Sequence, residues 1–400
     1  MPTQVLDEFP PSPAVDGGAA LVSWIERYRA ISPIWFNQKL GLWHVFGHAA
    51  TQQILTDTET FSSDLSAIAP ATLFMKGNFM RMDPPVHRKH RKLVSQAFTA
   101  RTVADLAPRI DAIVHELLDE VGDAQEIDLV SALSFPLPVT VIAEMLGVSA
   151  ADRPLFRQWA DDMFSANFDK PFDPNNVREV ERAAMPMHDY LLEKIRERRV
   201  RPQEDILTAI VRAELDGQRL DDEEAVTFAA LLLIAGHVTT TLLLNNTMRC
   251  LHENPDVLAA LRADPSGIPA VIEETLRLRP PFLGVPRMTT ADVSIYGQDV
   301  PKGAMVIPSL LGANRDPERF PDPDRFDPTR DNTHISFGHG AHFCMGAPLA
   351  RMEARIALGI LLDRFPEIGI DESKEIVYFG AQGVLGPKRL PMLVKHHAKV

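Results

Sequence analysis

The stretch that decides the fold is FGHGAHFCMG, which runs from Phe337 to Gly346. It places Cys344, one of two cysteines in the chain, in a glycine-rich loop directly ahead of a helix-like segment. The glycines at 338, 340 and 346 free the backbone to adopt positive φ and to bring several N–H groups close to one sulfur. A cysteine so placed is expected to be a stabilised thiolate and a good metal ligand. The alternative is a buried structural thiol, the commoner role of a free cysteine.

This loop resembles the signature F-G-x-G-x-H-x-C-x-G of the cytochrome P-450 family. A match at six fixed positions arises by chance on the order of 10⁻⁵ in a chain of this length. The resemblance implies that Cys344 binds the iron of haem b, and that Phe337, Gly338 and Gly346 shape the cofactor loop. In that family the thiolate pushes electron density onto iron and favours O–O cleavage.

Length and composition set the class of protein. The 400 residues are 45% hydrophobic, which is ample for a large core, and no linker or internal repeat divides them. We therefore expect one domain over residues 1–400. The net charge of −13 argues against general nucleic-acid binding, which needs a basic footprint. Two cysteines exclude a disulfide framework and suit a reducing cytosol.

Residues 1–18 lack the pattern of a signal peptide, transit peptide or membrane anchor. The sequence therefore predicts a cytoplasmic protein that does not enter a membrane. The segment from Val226 to Leu244 is apolar enough to suggest a membrane span, but His237 and three successive threonines interrupt it. A buried core helix is the better interpretation.

Helical periodicity dominates the chain and predicts a mainly α fold with a smaller β-rich part, as the family resemblance also implies. The predicted helices are Val103–Val121 with Thr102 as its cap, Ala151–Phe164, Met187–Arg198, Asp205–Leu215, Asp222–Asn254 and Pro348–Phe365. Two alternating segments, Asp292–Tyr296 and Ala304–Pro308, predict a small antiparallel sheet.

Glu274 and Arg277 carry opposite charges three residues apart on one predicted helix face. Taken alone, this pattern indicates a surface ion pair of little energetic weight. The family carries an E-x-x-R helix at this point, paired with an arginine of the following meander, and Arg325 matches that third member. The resemblance therefore implies a buried charge network of Glu274, Arg277 and Arg325 that holds the cysteine loop.

The segment AGHVTT, from Ala235 to Thr240, resembles the oxygen-activation segment of the family. The resemblance makes Thr239, Gly236, Ala235 and Thr240 the candidate catalytic residues. Gly236 leaves room for a diatomic ligand, and Thr239 lies on nearly the same helix face with a hydroxyl to offer. A packed, threonine-rich helix without a catalytic part is the alternative.

Val238 departs from the family pattern, because the residue before the threonine is commonly an acid that completes a proton-delivering pair. Protons would then arrive through ordered water, Thr239 or His237. His237 fits equally well as an ordinary core histidine.

By resemblance, His87, Arg91, Arg287 and His342 match positions that pair with haem propionates in the family. Charge-assisted hydrogen bonds make four donors on two carboxylates chemically reasonable; each side chain taken singly could be merely solvated. The same stretch supplies Arg88, Lys89 and Lys92 on an otherwise acidic chain. These residues predict either a docking face for an acidic ferredoxin or an ordinary solvated helix face.

The resemblance as a whole implies a haem-thiolate monooxygenase that takes two electrons from a ferredoxin and ferredoxin reductase and splits O₂. One oxygen atom would enter a mainly hydrophobic small molecule, in reactions such as the tailoring of secondary metabolites. The expected substrate pocket is apolar and is formed by Leu231, Ile234, Val238, Leu283, Val285 and Val384. A peroxide-driven peroxygenase, a desaturase or decarboxylase, and a non-catalytic haem sensor are the alternatives.

Overall fold

Helices form most of the computed structural model, which confirms the mainly α prediction. It describes residues 8–68, 74–149, 151–156, 158–159, 174–380 and 383–397, so the predicted helix Ala151–Phe164 lies partly outside the described residues. The helices are α1 (Ala19–Ile31), α2 (His48–Thr56), α3 (Val86–Ala97), α4 (Ala100–Ala104), α5 (Ala107–Asp119), α6 (Pro136–Met145), α7 (Pro174–Val200), α8 (Ile206–Arg212), α9 (Asp222–Glu253), α10 (Pro255–Ala263), α11 (Ile268–Leu278), α12 (Leu310–Ala313) and α13 (Ala347–Arg364).

One predicted helix is divided in the structure. The apolar stripe of Val103–Val121 belongs to two helices, α4 and α5. The cap of α4 is Thr99 rather than Thr102, since the Thr99 hydroxyl accepts a hydrogen bond of 3.1 Å from the Thr102 N–H. Pro108 lies in the first turn of α5. Proline has no N–H to donate to the preceding turn, so a new helix begins there.

Helix α9 crosses the middle of the protein. Asp221 and Glu224 form a reciprocal capping box at its start. By length and composition α9 could cross a membrane, but 72% of its most apolar window is buried inside the protein. It packs against α6, α7, α11 and α13. This burial explains why apolar residues appear on nearly every face of the helix.

The strands are short and lie at the periphery of the helical core. They are β1 (Ile34–Asn37), β2 (Leu42–Val45), β3 (Phe61–Ser62), β4 (Glu126–Asp128), β5 (Glu214–Leu215), β6 (Gln218–Arg219), β7 (Arg287–Thr289), β8 (Val293–Ile295), β9 (Gln298–Val300), β10 (Met305–Pro308), β11 (Glu367–Ile370), β12 (Val377–Tyr378), β13 (Pro387–Arg389) and β14 (Pro391–Lys395). The largest described sheet has the order β1-β2-β10-β7-β3.

The predicted pairing of the two alternating segments is wrong. Strand β8 pairs with β9 in a hairpin closed by Tyr296 and Gly297, both at positive φ. Strand β10 instead lies parallel to β2 and antiparallel to β7. The tight turn at Gly297 places residues 298–300 directly beside β8. These residues therefore form the antiparallel partner of β8 that the sequence analysis assigned to residues 304–308.

Candidate active site

A cavity of about 320 Å³ lies between α9 and the loop that carries Cys344. We call it the central cavity. Leu231, Ala235, Gly236, Thr239 and Thr240 of α9 line it, as do Phe337, Gly338, Cys344 and Gly346 of the loop. Apolar side chains from α6, the 3₁₀ turn Phe79–Arg81 and the segment before β7 complete the wall. Cys344 and Thr239, which are 344 − 239 = 105 residues apart in sequence, therefore share one cavity.

Backbone hydrogen bonds fold the cysteine loop back on itself. The Cys344 N–H donates to the Phe337 carbonyl at 2.9 Å, and the Gly338 N–H donates to the Ile335 carbonyl at 2.8 Å. Gly338 and Gly340 adopt φ of 73° and 68°. At Gly340 a Cβ would also lie 2.9 Å from the Leu55 carbonyl oxygen. Two of the loop glycines are thus required by backbone conformation, and Gly340 by space as well.

The Cys344 thiol opens onto the cavity at the start of α13. The N–H groups of Gly346 and Ala347 donate to its sulfur and lower its pKa, and Arg91 and Arg351 act in the same direction. Burial outweighs these effects, so the pKa of the thiol lies above its ordinary value. A metal cation bound at the sulfur would favour the thiolate form over the thiol.

His87, Arg91, Arg287 and His342 come together at one edge of the central cavity. The rings of His87 and His342 lie 4.0 Å apart, centroid to centroid. Burial, with the neighbouring cations second, lowers the pKa of His87 to about 4 and that of His342 to about 3. Burial also lowers the pKa of Arg287 to about 10. We call these four side chains the donor cluster. Because they lie close together and away from solvent, their positive charges are unfavourable unless an anion binds beside them.

The donors are incompletely satisfied by protein groups. Neither ring nitrogen of His87, nor Nε of Arg287, has a hydrogen-bond partner among the described residues. Arg91 donates to the Phe343 carbonyl at 2.6 Å, and His342 lies 3.0 Å from the Ser63 hydroxyl. Buried polar atoms without partners are costly, which indicates that a ligand with acceptor oxygens belongs here. The carboxylates of a haem meet this requirement.

The rest of the cavity also fits haem. Within the described residues, no group of three or more His, Cys, Asp or Glu side chains could hold a metal ion. A single thiolate suits iron that a macrocycle already holds by four nitrogens. The cavity walls next to Cys344 are mainly apolar, as a porphyrin plane requires. Cys344, the donor cluster and the apolar walls therefore match three separate parts of one cofactor.

Glu274 and Arg277 form a fully buried network behind the cysteine loop. Both side chains are 0% exposed, and the guanidinium contacts both carboxylate oxygens at 2.8 Å. Arg277 also donates to the carbonyls of Asn314 and Pro323, at 2.9 and 2.7 Å. The pair thus fixes the chain that leads from α12 to the loop.

The third member of this network is Arg330, not Arg325. Arg330 Nε lies 3.3 Å from Glu274 Oε1. Arg325 is exposed and contributes only its backbone carbonyl, which accepts from Arg277 at 3.1 Å. The remaining contacts to Glu274 come from the Asp327 N–H and the Asn332 side chain, both at 2.9 Å. The arginine that contacts Glu274 therefore lies five residues after the predicted one in the sequence.

The four candidate residues of α9, Ala235, Gly236, Thr239 and Thr240, all line the central cavity. The Thr239 hydroxyl donates to the Ala235 carbonyl at 2.7 Å. A Cβ at Gly236 would lie 2.7 Å from the end of the Ile142 side chain, so the missing side chain lets α6 approach here. His237 points elsewhere: it is buried edge-on against Phe135, with ring centroids 4.2 Å apart. Burial lowers its pKa to about 3.

The central cavity has a mainly apolar lining, which includes some but not all of the residues predicted for the substrate pocket. Leu231 and Val285 line the cavity. Val238 and Val384 instead pack together with Leu242 and Phe379, in a separate apolar cluster. Leu283 packs against the cluster of α1, and Ile234 packs into the main core. On α9, residues 231, 235 and 239 share one face, whereas 234 and 238 are rotated away from it.

Several cavity residues were not predicted from the sequence. Phe79, Ile142, Phe228 and Glu353 line the wall. Glu353 shares the stripe Leu349–Glu353–Ala357 with apolar residues at i, i+4 spacing, and that spacing is the signal that could have marked it as buried. Phe79 and Ile142 carry no comparable signal, because only the tertiary packing brings their segments to α9.

Comparisons with known proteins agree with this geometry. The family model of cytochrome P450 matches residues 25–266 and 268–392. Erythromycin C-12 hydroxylase of Saccharopolyspora erythraea is 43% identical over 384 residues, spanning 95% of this chain and 96% of that protein. Cyclomarin C epoxidase CymV of Salinispora arenicola is 43% identical over 394 residues, spanning 97% and 99%.

Solved structures show the same likeness. Ligand-free cytochrome P450 TbtJ1 matches with a TM-score of 0.90 at 47% identity, over 97% of this chain and all of that one. The open form of cytochrome P450 EryK from S. erythraea matches with a TM-score of 0.91 at 42% identity, over 98% and 100%. The chain belongs to the cytochrome P450 family. It is a P450 monooxygenase, and its cofactor is haem b.

Proposed function

We propose that this enzyme hydroxylates or epoxidises a mainly hydrophobic secondary metabolite, in the cytoplasm, with electrons from a ferredoxin and its reductase. Residues 1–400 act as a single domain in this proposal. The observation that carries it is the shared cavity, in which Cys344 and Thr239 line one apolar space. The printed names of two relatives, a C-12 hydroxylase and an epoxidase, support the two reaction types.

Cys344 binds the iron, and the donor cluster of His87, Arg91, Arg287 and His342 holds the haem carboxylates. An anion beside this cluster would favour the charged form of both histidines and so offset the burial that depresses their pKa. When bound, the haem would supply the oxidising chemistry of a monooxygenase, in which O₂ and two electrons give one oxygen atom in the substrate and one in water. The protein would supply the thiolate of Cys344, the orientation and a dry cavity.

Thr239 offers a hydrogen-bond acceptor to an ordered water in the cavity. Its hydroxyl proton is held by the Ala235 carbonyl, so its oxygen lone pairs remain for a donor in the cavity. Gly236, one turn earlier on the same side, adds no side chain to this space. Leu231 and Val285, with the aromatic rings of Phe79 and Phe228, hold the apolar part of the substrate.

The electron donor docks on the exposed part of α3. Arg88 and Lys92 are exposed on this helix, whereas Lys89 is partly covered and contacts Gln218. Arg91, on the same helix, reaches the carbonyl next to Cys344. Positive charge here, on a chain of net charge −13, steers an acidic ferredoxin to the cysteine side of the haem.

One experiment separates this function from its alternatives. Purified enzyme is screened for compounds that shift the haem Soret band, and each is then incubated with a surrogate ferredoxin pair and NADPH, or with hydrogen peroxide alone. We expect an oxygenated product with the ferredoxin pair. Turnover with peroxide alone would indicate a peroxygenase, and loss of hydrogen without added oxygen would indicate a desaturase. No turnover with any compound that binds would favour a sensor.

A further inference from the structure

Arg351 of α13 stacks on the cysteine loop but takes no part in the donor cluster. The central carbon of its guanidinium lies 4.5 Å from the centroid of the Phe337 ring. Its Nε and one terminal nitrogen donate to the two carboxylate oxygens of Glu273, both at 2.7 Å. A planar guanidinium can stack on an aromatic face and pair bidentately at its edge, which lysine cannot do. Arg351 therefore ties α11, α13 and the cysteine loop together.

Glu273 holds this guanidinium in place and balances its charge. Its Oε2 also lies 3.0 Å from His334 Nε2. Burial raises the pKa of Glu273, but hydrogen bonds from Arg351 and His334 outweigh it and hold the pKa at about 2. Glu273 is therefore ionised at neutral pH. The side chains of Arg351 and Glu273 are 37% and 28% exposed, so solvent screens the pair only in part.

Phe337 connects this ion pair to the proposed iron ligand. Its carbonyl accepts a hydrogen bond of 2.9 Å from the Cys344 N–H, and both residues line the central cavity. Burial raises the pKa of the Cys344 thiol, whereas the charges of Arg91 and Arg351 act in the opposite direction. Arg91 belongs to the donor cluster, where haem carboxylates would offset its charge. Arg351 lies outside that cluster, and its charge is balanced by Glu273.

The two charges of the pair have opposite effects on the cysteine. When a ferredoxin passes one electron to ferric iron, the iron and its thiolate gain one unit of negative charge. Positive charge on Arg351 favours this reduced state, and negative charge on Glu273 opposes it. The reduction potential of a haem depends on the hydrogen bonding and burial around its axial ligand as well as on nearby charge. An ion pair stacked on the cysteine loop can therefore change how readily the enzyme accepts an electron.

We propose that Arg351 and Glu273 together tune the reduction potential of the haem, with Arg351 raising it and Glu273 limiting the rise. Both act through the Phe337 ring and the electrostatic field at Cys344, so they are positioning residues rather than catalytic ones. The inference rests on the proposed ligation of iron by Cys344.

Redox titration of the haem-loaded, substrate-free enzyme with dithionite and soluble mediators tests this role without a ferredoxin. Arg351→Gln should lower the ratio of ferrous to ferric haem at a fixed potential roughly threefold, a shift of about 30 mV for one electron. Glu273→Gln should raise the ratio by a similar factor. Arg351→Lys should shift it much less, because lysine keeps the charge. Arg355→Gln is the matched control that should leave the ratio unchanged, since Arg355 is exposed one turn later on the same helix.

The sign of each shift distinguishes tuning from a purely structural role. Opposite shifts in Arg351→Gln and Glu273→Gln support the proposal. Equal potentials in all variants, shifts of the same sign, or an equal shift in Arg355→Gln would overturn it. If Arg351→Gln does not retain haem, Glu273→Gln decides: a rise supports the proposal, and a fall or no change overturns it. The carbon-monoxide spectrum is recorded first. A wild type without the thiolate band would defeat the proposed ligation, whereas a normal band with unchanged potentials would defeat this inference alone.

Discussion

The two sides of the central cavity are held by different forces. Behind Cys344, buried charges and backbone carbonyls fix the chain: Arg277 alone makes hydrogen bonds to Glu274 and to three carbonyls of the following segment. On the other side, apolar side chains of α6 and α9, such as Ile142 and Leu231, line the cavity. Charge-assisted bonds set positions closely, whereas apolar contacts tolerate changes of shape. The cysteine side is therefore suited to hold one cofactor, and the other side to accommodate different substrates.

The largest expected effect is on the cysteine side, at the sulfur itself. In Cys344→His the reduced, carbon-monoxide-bound protein should lose the red-shifted Soret band of thiolate ligation, and monooxygenase activity should be abolished. The reason is that imidazole is a weaker electron donor to iron than a thiolate. Absorption spectroscopy measures the band. Cys250→Ser is the matched control, because Cys250 is buried away from the cavity and should not change the spectrum.

Breaking the charge network should have the next largest effect. Arg277→Leu leaves Glu274 buried without its main partner, which should lower the free energy of unfolding by about 3–5 kcal/mol. Arg330→Leu removes a longer contact and should cost about 1–2 kcal/mol. Arg325→Leu should change it by less than about 0.5 kcal/mol, since that side chain is exposed. Urea denaturation of the three variants measures the order; an equal cost for Arg325 and Arg330 would contradict the structure.

The charge network shows which residues on the cysteine side could be identified from the sequence. The loop, Glu274 and Arg277 are local patterns with fixed spacing, so their positions could be predicted. The choice among the arginines of the meander could not, because residues 315–335 have no periodicity that says which side chain turns inward. The position of Arg330 depends on turns such as the one at Asp322, which adopts positive φ.

The apolar side was harder to predict for a physical reason. A helix such as α9 that is buried on nearly every face gives no sequence signal for which residues face a cavity and which face the core. Residues 234 and 238 were therefore assigned to the pocket although they pack elsewhere. Residues from α6 and from the turn at Phe79 could not be assigned at all, since their approach to α9 is purely tertiary.

On this apolar side, Thr239→Ala should leave haem and substrate binding nearly unchanged but divert electrons to peroxide. Product formation should fall by at least about tenfold, because the hydroxyl that positions water for proton delivery is lost. Product and hydrogen peroxide per NADPH give the measurement. Val238→Glu is the companion variant, since it restores the usual acid beside the threonine. Coupling that does not respond to Thr239→Ala would show that a water chain, or a group on the substrate itself, delivers the proton.

A smaller effect is expected from the half-buried ion pair next to the network. Burial raises the pKa of Glu273, but hydrogen bonds from Arg351 and His334 outweigh it and hold the pKa at about 2 instead of 4.5. A lowered carboxyl pKa gives stability that is present above about pH 4.5 and is lost as the pH falls toward 2. Glu273→Gln should lower the free energy of unfolding by about 1–2 kcal/mol at pH 7, allowing for solvent screening, and by almost nothing at pH 2. A destabilisation that is the same at both pH values would show that the charge of Glu273 is not responsible.

The smallest effect concerns the outer surface of the cysteine side. Arg88→Glu and Lys92→Glu should slow reduction by a ferredoxin a few-fold, and raising the salt concentration should slow the wild type in the same way. Exposed charges steer a partner only within a Debye length of about 8–10 Å at physiological salt, so the rate of encounter changes while the cavity does not. Stopped-flow reduction gives the rate, and substrate-induced Soret shifts should remain as in the wild type. Lys395→Glu, on β14, removes a lysine of similar exposure that is paired with Glu367, and it should leave the rate unchanged. If all three variants reduce at one salt-independent rate, the donor docks away from α3, and the cysteine side holds the cofactor without also recruiting its electron source.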